Sequence, residues 1–281
     1  MLYSGERLDT LVINHKDESL GSAPAQMSSG KYGAVHLDLS KSTYVRSIAL
    51  VRWRCLIDLA QQFNLQLTIT PPVNVAACDY AGRMGVFDGT TYQYPHHKRS
   101  ADTFFPLIRV ENDRNDRLYD ECRKIFSLSK ATMNYVDRLA DAFTELADNI
   151  FYHSGKTANS GWGYIHAQAY PNAGNIYLGI SDVGVGFYGS YARTNQTRNR
   201  TEEQIIVDSF EALESSLNPA PKQGHRGLGL HEVHEFVKKH TGRVHIRSGK
   251  ASVSATQVGI FPESLGYKAD GTWIEVRVPI L

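Results

Sequence analysis

Glu145 and Asn149 stand four residues apart in ELADNIFYH, the spacing that puts two side chains on one face of a helix. A carboxylate there can take a proton from a water or a hydroxyl. An amide oxygen one turn on can ligate a hard cation such as Mg²⁺, which takes oxygen ligands and keeps several waters. A second group is ISDVGVGF (Ile180–Phe187), in which Asp182 ends an apolar run and is followed by Gly184 and Gly186. An Asp at a strand end can accept a hydrogen bond from an exocyclic amine, and alternate glycines let the backbone approach a flat ligand. The third is GHRGLGLHEV (Gly224–Val233), where glycines at a helix start expose N–H groups that suit phosphate oxygens. Taken singly, these have ordinary explanations: a solvated helix face, a glycine turn after a strand, a glycine-rich helix entry. Their order and spacing make the set specific.

The elements that must position these groups follow from periodicity. Residues 1 to about 30 end in GSAPAQMSSG, which reads as a loop. Ala34–Ser40 alternates as a strand, Ser47–Gln62 has no Gly or Pro and reads as a buried helix, Leu65–Thr70 alternates again, and Val75–Phe87 is a short helix. This gives a small α/β unit over residues 1–100, followed by a polar linker at YPHHKRSADT. A second domain spans 101–281, with its helical start at about 115. There Pro106–Asn112 reads as a strand, and Leu118–Leu128 and Ala131–His153 as helices. Trp162–Tyr170 and Gly174–Ser181 read as strands joined by a turn, and Leu230–Thr241 as a helix stopped by Gly242. Val244–Arg247, Ser252–Ile260 and Trp273–Val278 are further strands. Between them Phe187–Gln223 is long and polar, helical only over Glu202–Ser216, as expected of a mobile lid.

Composition narrows the function classes. The chain of 281 residues is 42% hydrophobic and 21% charged, ordinary for a soluble globular protein. Its 30 basic and 29 acidic residues leave a formal charge of +1, which argues against nucleic acid or an anionic membrane as the main partner. No apolar run approaches the roughly 20 residues of a membrane span, and the N-terminus does not read as a secretory signal. Cys55, Cys78 and Cys122 are odd in number and lack zinc spacing, so a reduced, cytoplasmic protein with packing cysteines is expected.

The carboxylate–amide helix, DxGxG at a strand end, the long polar segment, GxGL opening a helix, and GTWIEVRVP (Gly271–Pro279) together resemble the GHKL family of ATP-binding domains over about residues 115–281. The resemblance implies an α/β sandwich with a mixed sheet and helices on one face. It also implies ATP and Mg²⁺ as ligands, with Glu145 as general base and Asn149 as Mg²⁺ ligand. Asp182 would read the adenine amine, Gly184 and Gly186 would shape the base pocket, and Thr272 would help bind the adenine edge. Gly224, Arg226, Gly227, Leu228, Gly229 and Leu230 would form the phosphate-facing turn and helix start. His153 matches a His frequent in the anti-sigma kinase branch and equally suits a hydrogen-bonded helix end; Asp148 faces solvent or a neighbour.

Leu118–Leu128 carries no His to accept phosphate, which disfavours a sensor histidine kinase, and no transducer domain follows the last strand within these residues. The anti-sigma or serine-kinase-like branch fits better. The N-terminal unit resembles a STAS domain, whose phosphorylatable Ser falls at Ser47; Arg46 and Ile48-Ala49 depart from that family's pattern. Ser47 also suits a helix N-cap. The expected activity is an ATP-dependent switch with slow hydrolysis acting on a partner protein that the sequence does not name. Phosphate transfer to a partner's Ser or Thr, and a non-catalytic ATP-binding module, are the alternatives. GHKL domains often dimerise, so the resemblance admits a homodimer.

Overall fold

The computed structural model describes residues 9–92, 103–111, 116–129, 132–155, 161–197, 199–211 and 229–280. Its N-terminal half opens with β1 (Asp9–Asn14), α1 (Asp17–Met27), β2 (Tyr32–Asp38), α2 (Ser47–Gln62), β3 (Gln66–Thr70) and α3 (Val75–Arg83). The three strands pair in parallel in the order β1-β2-β3. GSAPAQMSSG, expected as a loop, is instead the second half of α1 up to Met27, and β1 precedes it. Leu11 and Ile13 alternate into the core along β1. In α1 the small residues that look like a loop serve close packing: a Cβ on Gly21 would lie 2.9 Å from the Tyr267 ring. Pro24 sits in the last turn of α1, where it removes one helical hydrogen bond without ending the helix.

The C-terminal half runs β4 (Phe104–Val110), α4 (Asp116–Phe126), α5 (Met133–Asn149), β5 (Gly163–Tyr170), β6 (Asn175–Asp182), α6 (Gly186–Arg193), α7 (Glu202–Asp208), α8 (Gly229–His240), β7 (Arg243–Thr256) and β8 (Gly259–Pro279). The sheet order is β4-β5-β6-β8-β7. Every pairing in it is antiparallel, where a mixed sheet was expected. The strands expected near the C-terminus merge into two long ones. β7 doubles back at the irregularity around Gly249: His245 pairs with Ser252, and Arg243 with Ser254, through side-chain hydrogen bonds of 2.9 Å.

α5 buries Val136, Leu139, Ala140, Phe143, Leu146 and Ala147, the stripe of an amphipathic helix, against α4 and α8 and in one core with the sheet's apolar face. The sheet's opposite face is also covered, by α1 and α2, which lie between the two sheets. That position explains why α2 is apolar nearly all round: Leu50, Trp53, Leu56 and Ile57 face the N-terminal core, while Val51 and Cys55 meet Tyr164 of β5. Cys55 and Cys122 are buried, and burial pushes the Cys55 thiol up to about 12, consistent with packing cysteines. Among the described residues no helix is long and apolar enough to cross a membrane.

Candidate nucleotide site

Where α5 ends, the chain widens into one π-helical stretch, Ile150–Ser154, before turning away. Such π-bulges are frequent at functional sites. Ser154 donates its hydroxyl to the Ile150 carbonyl at 2.6 Å, and its own carbonyl accepts the Val185 N–H at 2.9 Å. The end of α5 is thereby fastened to the loop that leaves β6. Between these two segments and the start of α8 opens a cleft, concave and mostly apolar with a few convergent polar groups, as small-molecule sites are. Leu146, Ile150, Ile180, Phe187, Leu230 and Ile274 give it an apolar lining; Asn149, His153, Asp182 and Thr272 add its polar groups.

Asp182 is the deepest of these, 4% exposed. Its Oδ1 accepts the Gly184 N–H at 2.8 Å and the Thr272 N–H at 3.2 Å. Burial pushes its carboxyl up to about 6; those two amides and the Arg52 guanidinium act in the opposite direction. Thr272 is therefore tied to Asp182 through its main chain.

The two glycines of the Asp182 loop have different jobs. Gly184 lies against the Ser154 carbonyl, where a Cβ would sit 1.8 Å from the oxygen, so it permits a backbone–backbone approach rather than a ligand's. Gly186 lines the cleft at φ +71°, in the left-handed region. Ser248, unnoticed in the sequence, braces this corner: its hydroxyl accepts the Phe187 N–H at 3.0 Å and donates to the Gly271 carbonyl at 2.9 Å. No local pattern marks Ser248, because its role depends on strands that meet from distant parts of the chain.

The structure brings Asn149, His153, Asp182, Gly186, Gly229, Leu230 and Thr272 into one cleft. Glu145 stands one turn before Asn149, outside the inner wall, and its Cβ and Cγ flank Gly229, at 3.2 and 3.4 Å from the position a Cβ would take. His153 pairs through Nδ1 with the Ser190 hydroxyl at 2.9 Å. Arg193 donates at 2.7 Å to the carbonyls of His153 and Gly155. The first part of the expected lid is thus folded: α6 is clamped to the π-turn, and α7 packs on β7, with Glu202 accepting the Lys250 N–H. Gly224, Arg226, Gly227 and Leu228 lie outside the described residues.

Ser47 is remote from the cleft and fully buried, at the first turn of α2. Arg46, not Ser47, occupies the N-cap. The Ser47 hydroxyl lies 2.9 Å from His166 Nδ1 and 3.2 Å from the Tyr177 carbonyl.

An apolar slot with one buried carboxylate at its floor suits a flat heterocycle bearing an amine. An amide on the helix near the opening suits a cation that takes few protein ligands and completes its shell with phosphates and water. Among the described residues no group of three His, Cys, Asp or Glu could hold a metal ion. The residues fit Mg²⁺ and a purine nucleotide. Comparison with curated proteins gives no match. Residues 134–280, more than half of the chain, match the family of histidine kinase-, DNA gyrase B-, and HSP90-like ATPases. The stretch takes in α5 from its second residue, the cleft and the whole of β8, and the chain belongs to that family.

Proposed function

We propose that this protein binds ATP with Mg²⁺ in the α5–β6–β8 cleft and works as a nucleotide-dependent switch with slow hydrolysis, acting on a partner protein. The observation that carries this reading is the buried Asp182 carboxylate at the floor of an apolar cleft that Asn149 also lines. Asp182 would accept the base amine and Thr272 would border the base edge. Asn149 would hold the cation, with Gly229 and Leu230 beside the phosphates. Bound Mg²⁺ would neutralise phosphate charge. Glu145, near Gly229, would hold the attacking water and take its proton. The unassigned Gly224–Leu228 turn is proposed as the remaining phosphate contact, on sequence resemblance alone.

The anti-sigma or serine-kinase-like branch, a cytoplasmic location and a STAS-like ancestry for the N-terminal unit belong to the same proposal. The last is supported only by the alternation of strand and helix. Burial of the Ser47 hydroxyl against His166 favours a packing role over phosphate acceptance. Incubation with γ-labelled ATP and Mg²⁺ tests the activity: labelled inorganic phosphate should appear slowly with wild type and be absent with Glu145→Ala. Equal release by both proteins would remove Glu145 from the mechanism.

A further inference from the structure

Of the two arginines of α2, Arg54 pairs with Asp58 on the same helix, whereas Arg52 sits where a helix enclosed between two sheets should carry no charge. Arg52 is fully buried, and its guanidinium stacks on the Trp273 ring at 4.6 Å. A buried cation needs acceptors to offset its lost hydration, and the acceptors of Arg52 come from a defect in α1. Pro24 has no N–H, so the Leu20 carbonyl loses its helical donor. The next donor, the Ala25 N–H, is diverted to Asp270 Oδ2 at 3.0 Å, which leaves the Gly21 carbonyl open as well. Arg52 takes both: Nη2 donates to the Leu20 carbonyl at 2.9 Å and to Gly21 at 3.4 Å, and Nε to Leu20 at 3.3 Å.

The remaining arm of the fork points at the nucleotide site. Arg52 Nη1 donates to the main-chain carbonyl of Asp182 at 3.0 Å. The same two helices thus grip both strands that build the floor of the cleft. α2 holds Asp182 through Arg52, and α1 holds Asp270, two residues before Thr272, through Ala25. These strands touch at this point, since a Cβ on Gly271 would lie 2.3 Å from the Asp182 carbonyl oxygen.

We infer that Arg52 is a positioning residue for the nucleotide site: it fixes the Asp182 main chain from the N-terminal unit and supplies the positive charge that favours the Asp182 carboxylate. The inference makes the N-terminal unit part of the nucleotide site rather than an appended domain, and it rests on the reading of Asp182 as the base-binding group. Arg52 remains charged at neutral pH, since burial lowers its pKa only to about 10. The groups that bear on Asp182 are Gly184 in its own loop, Arg52 and Cys55 on α2 and Thr272 on β8, and His153 lines the same cleft. Arg52 is the cation among those that pull the carboxyl down. Lysine keeps the charge but lacks the fork that spans α1 and Asp182.

The test uses the full chain with carboxyl-selective ¹³C labelling, the Asp182 resonance being assigned by its loss in Asp182→Asn. In the free protein Arg52→Gln should raise the Asp182 titration midpoint by about one pH unit, whereas Arg52→Lys should leave it close to wild type. Titration with Mg·ATP should show Arg52→Lys binding about tenfold more weakly at every pH. An unmoved midpoint in folded Arg52→Gln overturns the inference. If Arg52→Gln does not fold, wild-type affinity in Arg52→Lys overturns it. Loss of affinity in Arg52→Ala accompanied by equal loss of all α1 and α2 amide protection would show a structural role only, and also overturns it. Unchanged Mg·ATP affinity in Asp182→Asn would sink the base-binding reading instead, while the midpoint comparison still decides the role of Arg52.

Discussion

Replacing Asp182 by asparagine separates what the carboxylate does for binding from what it does to the fold. The amide oxygen can keep both Oδ1 bonds, from the N–H groups of Gly184 and Thr272. What is removed is a fully buried charge. In the folded protein the carboxyl is pushed from its ordinary 3.8 up to about 6. Well below pH 3.8 the group is protonated in both folded and unfolded chains and contributes no difference. As pH rises from 4 to about 6 the unfolded chain ionises first, so wild type loses stability across that window and stays lower above it. At about 1.4 kcal/mol per pH unit the loss is about 3 kcal/mol at pH 7. Asp182→Asn escapes it. The variant should therefore melt higher than wild type by about 5–10 °C at pH 7, with the gain shrinking toward zero near pH 4. In the same protein Mg·ATP affinity should fall by about 5- to 150-fold, because an amide N–H₂ now faces the base amine. Thermal melts at pH 4, 5, 6 and 7, paired with nucleotide titrations, read both effects. A variant that melts at or below wild type at pH 7, or whose advantage is the same at pH 4 and 7, would refute the reasoning.

Further outcomes follow from other parts of the site. Glu145→Ala should retain Mg·ATP binding while phosphate release drops about 10²–10⁴-fold, measured by single-turnover assay. Asn149→Ala should lose the Mg²⁺-dependent part of the affinity together with turnover; a titration with and without EDTA reads this. Gly184→Ala drives a Cβ to 1.8 Å from the Ser154 carbonyl oxygen, so it should cost about 3 kcal/mol or more in chemical denaturation. Ser47→Ala should cost about 1–3 kcal/mol by leaving His166 Nδ1 and the Tyr177 carbonyl without their partner, and Ser47→Asp, which buries a charge, should fail to fold. A stable Ser47→Asp protein would reopen Ser47 as a phosphate acceptor.

Much of this arrangement is legible in the sequence because it is local. The i, i+4 spacing of Glu145 and Asn149 fixes their common helix face, and the alternation before Asp182 fixes the strand that delivers it. α2 keeps the boundaries its composition suggests, Ser47–Gln62. What escapes is set by distant segments. The second half of α1 looks like loop because small residues and a proline weaken the periodic signal, and their small size matters only once Tyr267 packs beside Gly21. Gly184 reads as a ligand-facing glycine, yet the group it admits is the Ser154 carbonyl, brought there by a π-turn that no periodicity announces. Arg52 left one visible sign, a guanidinium between Val51 and Trp53 in a largely apolar helix. Its acceptors could be named only after Pro24 and Asp182 came to lie on either side of it.

The central claim is that the α5–β6–β8 cleft binds ATP with Mg²⁺. Calorimetric titration of Mg·ATP into the full chain tests it most directly. The account predicts saturable binding of one nucleotide per chain, weakened by EDTA and by Asp182→Asn, with a matching rise in melting temperature in wild type. Absence of both heat and thermal shift at millimolar Mg·ATP would contradict it.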